Sequence, residues 1–187
     1  MPPSPAERTL APLTGTPCID EPVAHLPIPA ALALCVAGIA IGIGRGALDD
    51  VLATAPAKVP LLSAGPLATS PTFQDTIARA DTELRAASAL LDAAAEKTWA
   101  IATGGRPASL DERGSLRATA SWIVERAEAA VDAAHRAGGG SAIYADCPLQ
   151  RRLRDIQTLR QHFLVRADTF PTVGAILAGL EPAVPIF

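Results

Sequence analysis

The residues best suited to chemistry fall between Gly138 and His162. Arg151, Asp155, Thr158 and His162 step by four, three and four, so on a helix they share one face. That stripe lines up a guanidinium, a carboxylate and an imidazole. An imidazole titrates near neutrality and can take and return a proton when its neighbours hold its orientation. A second reading stays open: Asp155 forms structural ion pairs with Arg151 and another arginine, and His162 is a partly buried polar residue. Upstream, Gly138, Gly139, Gly140 and Ser141 offer backbone amides with little side chain in the way. Such a turn can cradle a phosphate, or it can simply close the helix before it. Arginines cluster at 151, 152, 154, 160 and 166. They read as a solvated or interface face, with phosphate binding as the alternative.

These residues need a scaffold, and its punctuation is clear. Pro27 and Pro29 precede an apolar segment predicted to be helical from Ala30 to about Ala53. A loop with four prolines covers 54–71, and Ser70-Pro71 supplies a hydroxyl cap and a first-turn proline for a second helix. Its expected apolar stripe is Phe73, Ile77, Ala80, Leu84, Ala87, Leu91, Ala95 and Trp99, ending at Thr103-Gly104-Gly105. Ser109 and Glu112 form a capping box for a third helix with Leu116, Ala120, Ile123, Ala127, Ala130 and Ala134 on one face. Pro148 starts a fourth helix expected to reach Val165, with Leu149, Leu153, Ile156, Leu159 and Phe163 inward. A short fifth is expected over 171–180. No useful period-2 alternation occurs, so the expected fold is all-α, an antiparallel four-helix bundle over 29–187 behind an irregular proline-rich segment, 1–28.

At 187 residues the chain suits one domain, and with 4% aromatics its core must come from Ala, Leu, Ile and Val. A net charge of −3 gives no electrostatic case for nucleic acid. Cys18, Cys35 and Cys147 follow no ligand spacing, which argues for reduced thiols in a cytoplasmic protein and against a metal. Nineteen uncharged residues, Leu26–Gly44, are long enough to span a membrane. The expectation is instead a helix covered all round in a bundle, because prolines and glycines interrupt the run and Arg45 and Asp49-Asp50 continue its pattern.

The combination of Gly139-Gly140, Tyr144, Pro148-Leu149-Gln150-Arg151, Arg154-Asp155 and Gln161-His162 resembles the C-terminal helical domain of the acyl-CoA dehydrogenase superfamily. Within it, Gln161-His162 is most similar to the branch of two-component flavin-dependent monooxygenases. The resemblance implies a flavin cofactor, FAD or FMN. His162 would be the catalytic residue, handling a proton in the flavin's reaction with oxygen. Gly139, Gly140, Ser141, Arg151 and Gln161 would contact the cofactor, commonly across a subunit interface. Arg154 and Asp155 resemble the family's structural pair. The glutamate base of the acyl-CoA dehydrogenases has no counterpart in the segment after Asp155, which favours the monooxygenase branch. The helical and β domains that family members carry upstream have no counterpart in this sequence.

Two functions follow from these expectations, beside a minor third in which residues 26–44 associate the protein with a membrane. One is a flavin-dependent oxidoreductase component that hydroxylates a small hydrophobic or aromatic substrate, served by a flavin reductase or completed by a separately encoded flavin-domain partner. The other is a non-catalytic bundle that keeps the oligomerisation surface. Both expect a homo-oligomer, since small apolar residues lie on both sides of the second and third helices, and neither expects nucleic acid, membrane or metal.

Overall fold

The computed structural model describes Ile19 and residues 21–182. The proline-rich N-terminal segment and Cys18 therefore lie largely outside the described residues, although Pro22–His25 forms a short 3₁₀ turn. Five α-helices follow among the described residues: α1 (Ile28–Thr54), α2 (Pro71–Thr103), α3 (Leu110–Gly138), α4 (Pro148–Leu159) and α5 (Thr169–Leu177). The chain is all-α, as its periodicity requires.

Local chemistry sets most helix ends. Pro71 opens α2, and the Ser70 hydroxyl accepts the Phe73 amide at 3.4 Å. At α3 the capping box is complete: Ser109 Oγ accepts the Glu112 amide at 3.1 Å, and Glu112 Oε2 accepts the Ser109 amide at 2.8 Å. The Arg106 guanidinium grips the same carboxylate through two nitrogens at 2.7 and 2.8 Å. That grip, helped by the Ser109 amide, pulls the Glu112 carboxyl down to about 2.

The third helix lies at the centre, packed by α1, α2, α4 and α5. Gly44 explains how close the backbones come: a Cβ there would stand 2.9 Å from Leu84 Cδ2 and 3.4 Å from the Ala127 carbonyl. Arg45 pairs with Asp81, while Gly38 lies against Leu91, so α1 and α2 run antiparallel. Arg126 of α3 reaches Glu83 of α2 at 3.8 Å, and Lys58 just past α1 reaches Gly138, so α1 and α3 point the same way. The last bundle helix, α4, returns along α3 with Leu149 near Gly138 and Arg160 on Glu128. α5 adds a small second cluster, Val173 and Ile176 against Leu110 and Ala118.

Four expectations need correction. The α2 stripe does not run through Ala95 and Trp99; Ala94, Thr98 and Ile101 are buried, and Trp99 is 53% exposed. Two consecutive steps of four rotate a side chain about 80° off a seam with 3.6 residues per turn, whereas alternating threes and fours stay on it. α4 stops at Leu159 instead of Val165. The chain turns there so that Leu164 and Val165 can bury, which leaves Phe163 56% exposed. α5 ends three residues early, where Gly179 takes φ +77° and the Leu180 amide reaches back to Ala175. Finally, α1 is covered on one face only. It is long and apolar enough to cross a membrane by length and composition. Ala33, Ala37, Ala40, Ala47 and Val51 are buried in the bundle, but Leu32, Cys35, Ile39 and Leu52 are exposed.

Candidate functional site

α4 and the turns at its two ends carry the residues singled out by spacing. Cross-helix polar contacts fix its position. Arg152 Nε donates to Asp50 Oδ2 at 2.9 Å, its guanidinium lying over Gly46, where a Cβ would come within 2.6 Å of Arg152 Cζ. Gln157 donates to Glu128 at 2.9 Å, and Arg160 donates to the same carboxylate oxygen. Leu149 and Ile156 bury the apolar side.

Three of the four residues of the expected polar stripe, Arg151, Asp155 and Thr158, share an exposed face of α4, while His162 does not belong to it. Arg151 Nε stands 3.5 Å from Asp155 Oδ2 as an exposed i,i+4 ion pair. The Thr158 hydroxyl donates back to the Arg154 carbonyl at 2.9 Å, and Arg154 itself is exposed. His162 lies beyond the end of the helix. Its amide donates to Leu159 O and its carbonyl accepts the Val165 amide, both at 3.0 Å. Its Nδ1 accepts the Leu164 amide at 3.3 Å, which places the proton of the neutral ring on Nε2. The ring stacks on Phe163 with centroids 5.0 Å apart and planes inclined by 25°. His162, Phe163 and Gln161 are all exposed at this end.

Gly139, Gly140 and Ser141 occupy a 3₁₀ turn over Gly139–Ile143 at the opposite end. Gly139 adopts φ +62°, a conformation that favours glycine. Gly140 has open space where a Cβ would stand, so nothing in the bundle fills that position. One cation meets this turn that spacing did not reveal. Lys58, from the loop after α1, donates to the Gly138 carbonyl and to Ser141 Oγ. An open glycine, an exposed hydroxyl and an ammonium suit a phosphate, although the Gly139 amide is already given to the Arg136 carbonyl. The structure thus separates two candidate patches along α4. The helix has 12 residues, or about 18 Å at 1.5 Å each.

Comparisons with known proteins agree with the helical fold. A family profile for the acyl-CoA dehydrogenase C-terminal domain matches residues 34–167. Indole-3-acetate monooxygenase of Pseudomonas putida is 29% identical over 168 residues, covering 90% of this chain and 43% of that protein. A pigment production hydroxylase of Rhodococcus sp. is 28% identical over 170 residues, with 89% and 43% coverage. Among solved structures, XiaF from Streptomyces sp., in complex with FADH2 and glycerol, superposes with TM-score 0.82 at 25% identity, over 88% of this chain and 42% of that one. A 3-HSA hydroxylase from Rhodococcus sp. superposes with TM-score 0.78 at 22% identity, which speaks for the fold alone. The chain spans less than half the length of these proteins. On the profile match and the bundle together, this chain belongs to the acyl-CoA dehydrogenase C-terminal domain family, and the relatives it matches include a monooxygenase and a hydroxylase.

Proposed function

We propose that this bundle is the C-terminal, flavin-contacting part of a flavin-dependent monooxygenase that hydroxylates a small aromatic or hydrophobic substrate. The observation that carries this reading is the exposed turn holding His162. Its Nδ1 is engaged by the Leu164 amide, leaving the Nε2 proton as the one the ring can exchange. Support comes from XiaF, whose structure holds FADH2, and from relatives whose names give an aromatic acid as substrate.

Reduced flavin supplies the electrons for dioxygen in such chemistry. The residues of this chain would do the rest. The turn of Gly139, Gly140 and Ser141 would offer an approach free of bulky side chains and a hydroxyl, and Lys58 a positive charge, to the cofactor's phosphates. Gln161 and His162 would lie beside its reactive ring, where His162 Nε2 would hold or move a proton. Arg151, already paired with Asp155, lies between the two patches. The XiaF structure holds FADH2, so FAD is the favoured form. A flavin reductase would deliver it, and a cytoplasmic homo-oligomer would cover the exposed α1 face at Leu32, Ile39 and Leu52.

Anaerobic titration of the chain with reduced FAD and reduced FMN tests the reading. Saturable micromolar binding, tighter for FAD, is expected. Absence of saturation with either flavin overturns it and favours a bundle that serves assembly only.

A further inference from the structure

Arg117 is 5% exposed near the start of α3, where an unsatisfied guanidinium would carry a large desolvation penalty. Burial depresses its protonation, and the charge of Asp168 opposes that effect. Its hydrogen bonds explain why it is tolerated. Nε donates to the Leu164 carbonyl at 3.1 Å and Nη2 donates to the Phe163 carbonyl at 3.4 Å. These acceptors lie beyond the end of α4, in the turn that follows it.

The same two residues orient His162. The Leu164 amide donates to His162 Nδ1 at 3.3 Å, and the Phe163 ring stacks on the imidazole. One guanidinium thus grips the carbonyls of both residues whose amide and ring fix the histidine. A planar fork holds Nε and Nη2 in fixed directions toward two adjacent carbonyls, whereas an ammonium on a flexible stem has donors with no such preset geometry.

We infer that Arg117 is a positioning residue for His162, anchoring the 162–165 turn so that Nδ1 stays an acceptor and Nε2 carries the outward proton. The catalytic consequence rests on the functional reading above; the geometry stands apart from it.

The test is NMR of the full 187-residue chain labelled at its three histidines, with His162 assigned by His162→Gln. In the unsubstituted chain the His162 ring protons should lie upfield because of Phe163. The neutral ring should be a single Nε2–H tautomer, and the Leu164 amide should be protected from exchange. In Arg117→Met the ring shifts should move to those of unstructured histidine and a second tautomer should appear. Leu164 protection should fall roughly tenfold or more, while His135 signals stay in place. Ile123→Val loosens α3 from a different contact set and should leave His162 unchanged, which separates positioning from general destabilisation. If Arg117→Met does not fold, Arg117→Lys is read by the same signals, since it keeps the charge without the fork. A folded Arg117 variant with wild-type ring shifts, tautomer and Leu164 protection overturns the inference. No flavin is used, so failure here leaves the functional reading intact. Absence of flavin binding with these signals as expected condemns only that reading.

Discussion

The three long helices and the short segment from α4 to α5 are held together by different means. In α1, α2 and α3 the seam is made of Ala, Leu, Ile and Val, and glycine at 44 brings Leu84 and the Ala127 carbonyl close to α1. Stability there comes from close packing of many small contacts. In α4 and the turns at its ends only Leu149 and Ile156 of the helix bury fully. Position is fixed by side chains reaching across: Arg152 to Asp50, Arg160 and Gln157 to Glu128, Lys58 to the glycine turn, and Arg117 to residues 163 and 164. The chemistry-bearing residues all sit on the second kind of support. A bundle built this way can lose the geometry of its site without losing its fold.

That contrast can be broken most severely from the packed side. Leu84→Ala should cost about 2–5 kcal/mol, since Leu84 is fully buried against Gly44, and should lower Tm by on the order of 10 °C. Calorimetry should show one transition in which α4 melts with the rest. On the polar side, Asp50→Asn removes a half-exposed pair and should cost only about 1 kcal/mol. Amide exchange should accelerate in α4 while α2 and the middle of α3 keep their protection. Equal acceleration everywhere would erase the distinction between the two regions.

Glu112 tests the polar supports through pH. Its carboxyl is held to about 2 in the folded chain against 4.5 ordinarily. A depressed acid contributes stability that is full above the unfolded value and lost as pH falls through the folded one. Glu112→Gln should therefore lower Tm at pH 7 and flatten its acid dependence between about 4.5 and 2. The smallest effect is expected at Ser121, a fully buried hydroxyl with no partner among the described residues. Ser121→Ala should be neutral or stabilising by no more than about 1 kcal/mol in urea melts. A loss larger than that would show that the hydroxyl has a bonding role.

The same contrast governs what could be read from sequence. Caps are local, so Ser70-Pro71, the Ser109–Glu112 box and the glycines after α3 marked helix ends within a residue or two. The all-α fold and the α3 stripe were legible for the same reason. The end of α4 was not, because Gln161, His162 and Phe163 continue the helical pattern, and only the burial of Leu164 and Val165 pulls the chain out of it. Of the candidate residues, the glycine turn was visible as composition, but its partner Lys58 lies 80 residues from Gly138 in a proline-rich loop. Arg117 gave a faint signal. Gly114, Arg117, Ser121 and Val124 form a second stripe of mostly small residues on α3, and its burial marks that helix as central. An arginine on a helix ordinarily reads as solvated, so the stripe had to be seen whole.

The most direct test of the account is reduced-FAD titration of Lys58→Met beside the unsubstituted chain, each with its thermal melt. Lys58 keeps its apolar stem in this variant and loses only the charge beside Gly138 and Ser141. The account predicts that affinity falls roughly tenfold, about 1.4 kcal/mol, while Tm moves by only about 2–4 °C. Unchanged affinity, or a loss matched by collapse of the fold, would contradict a phosphate site supported by polar contacts on an independent packed bundle.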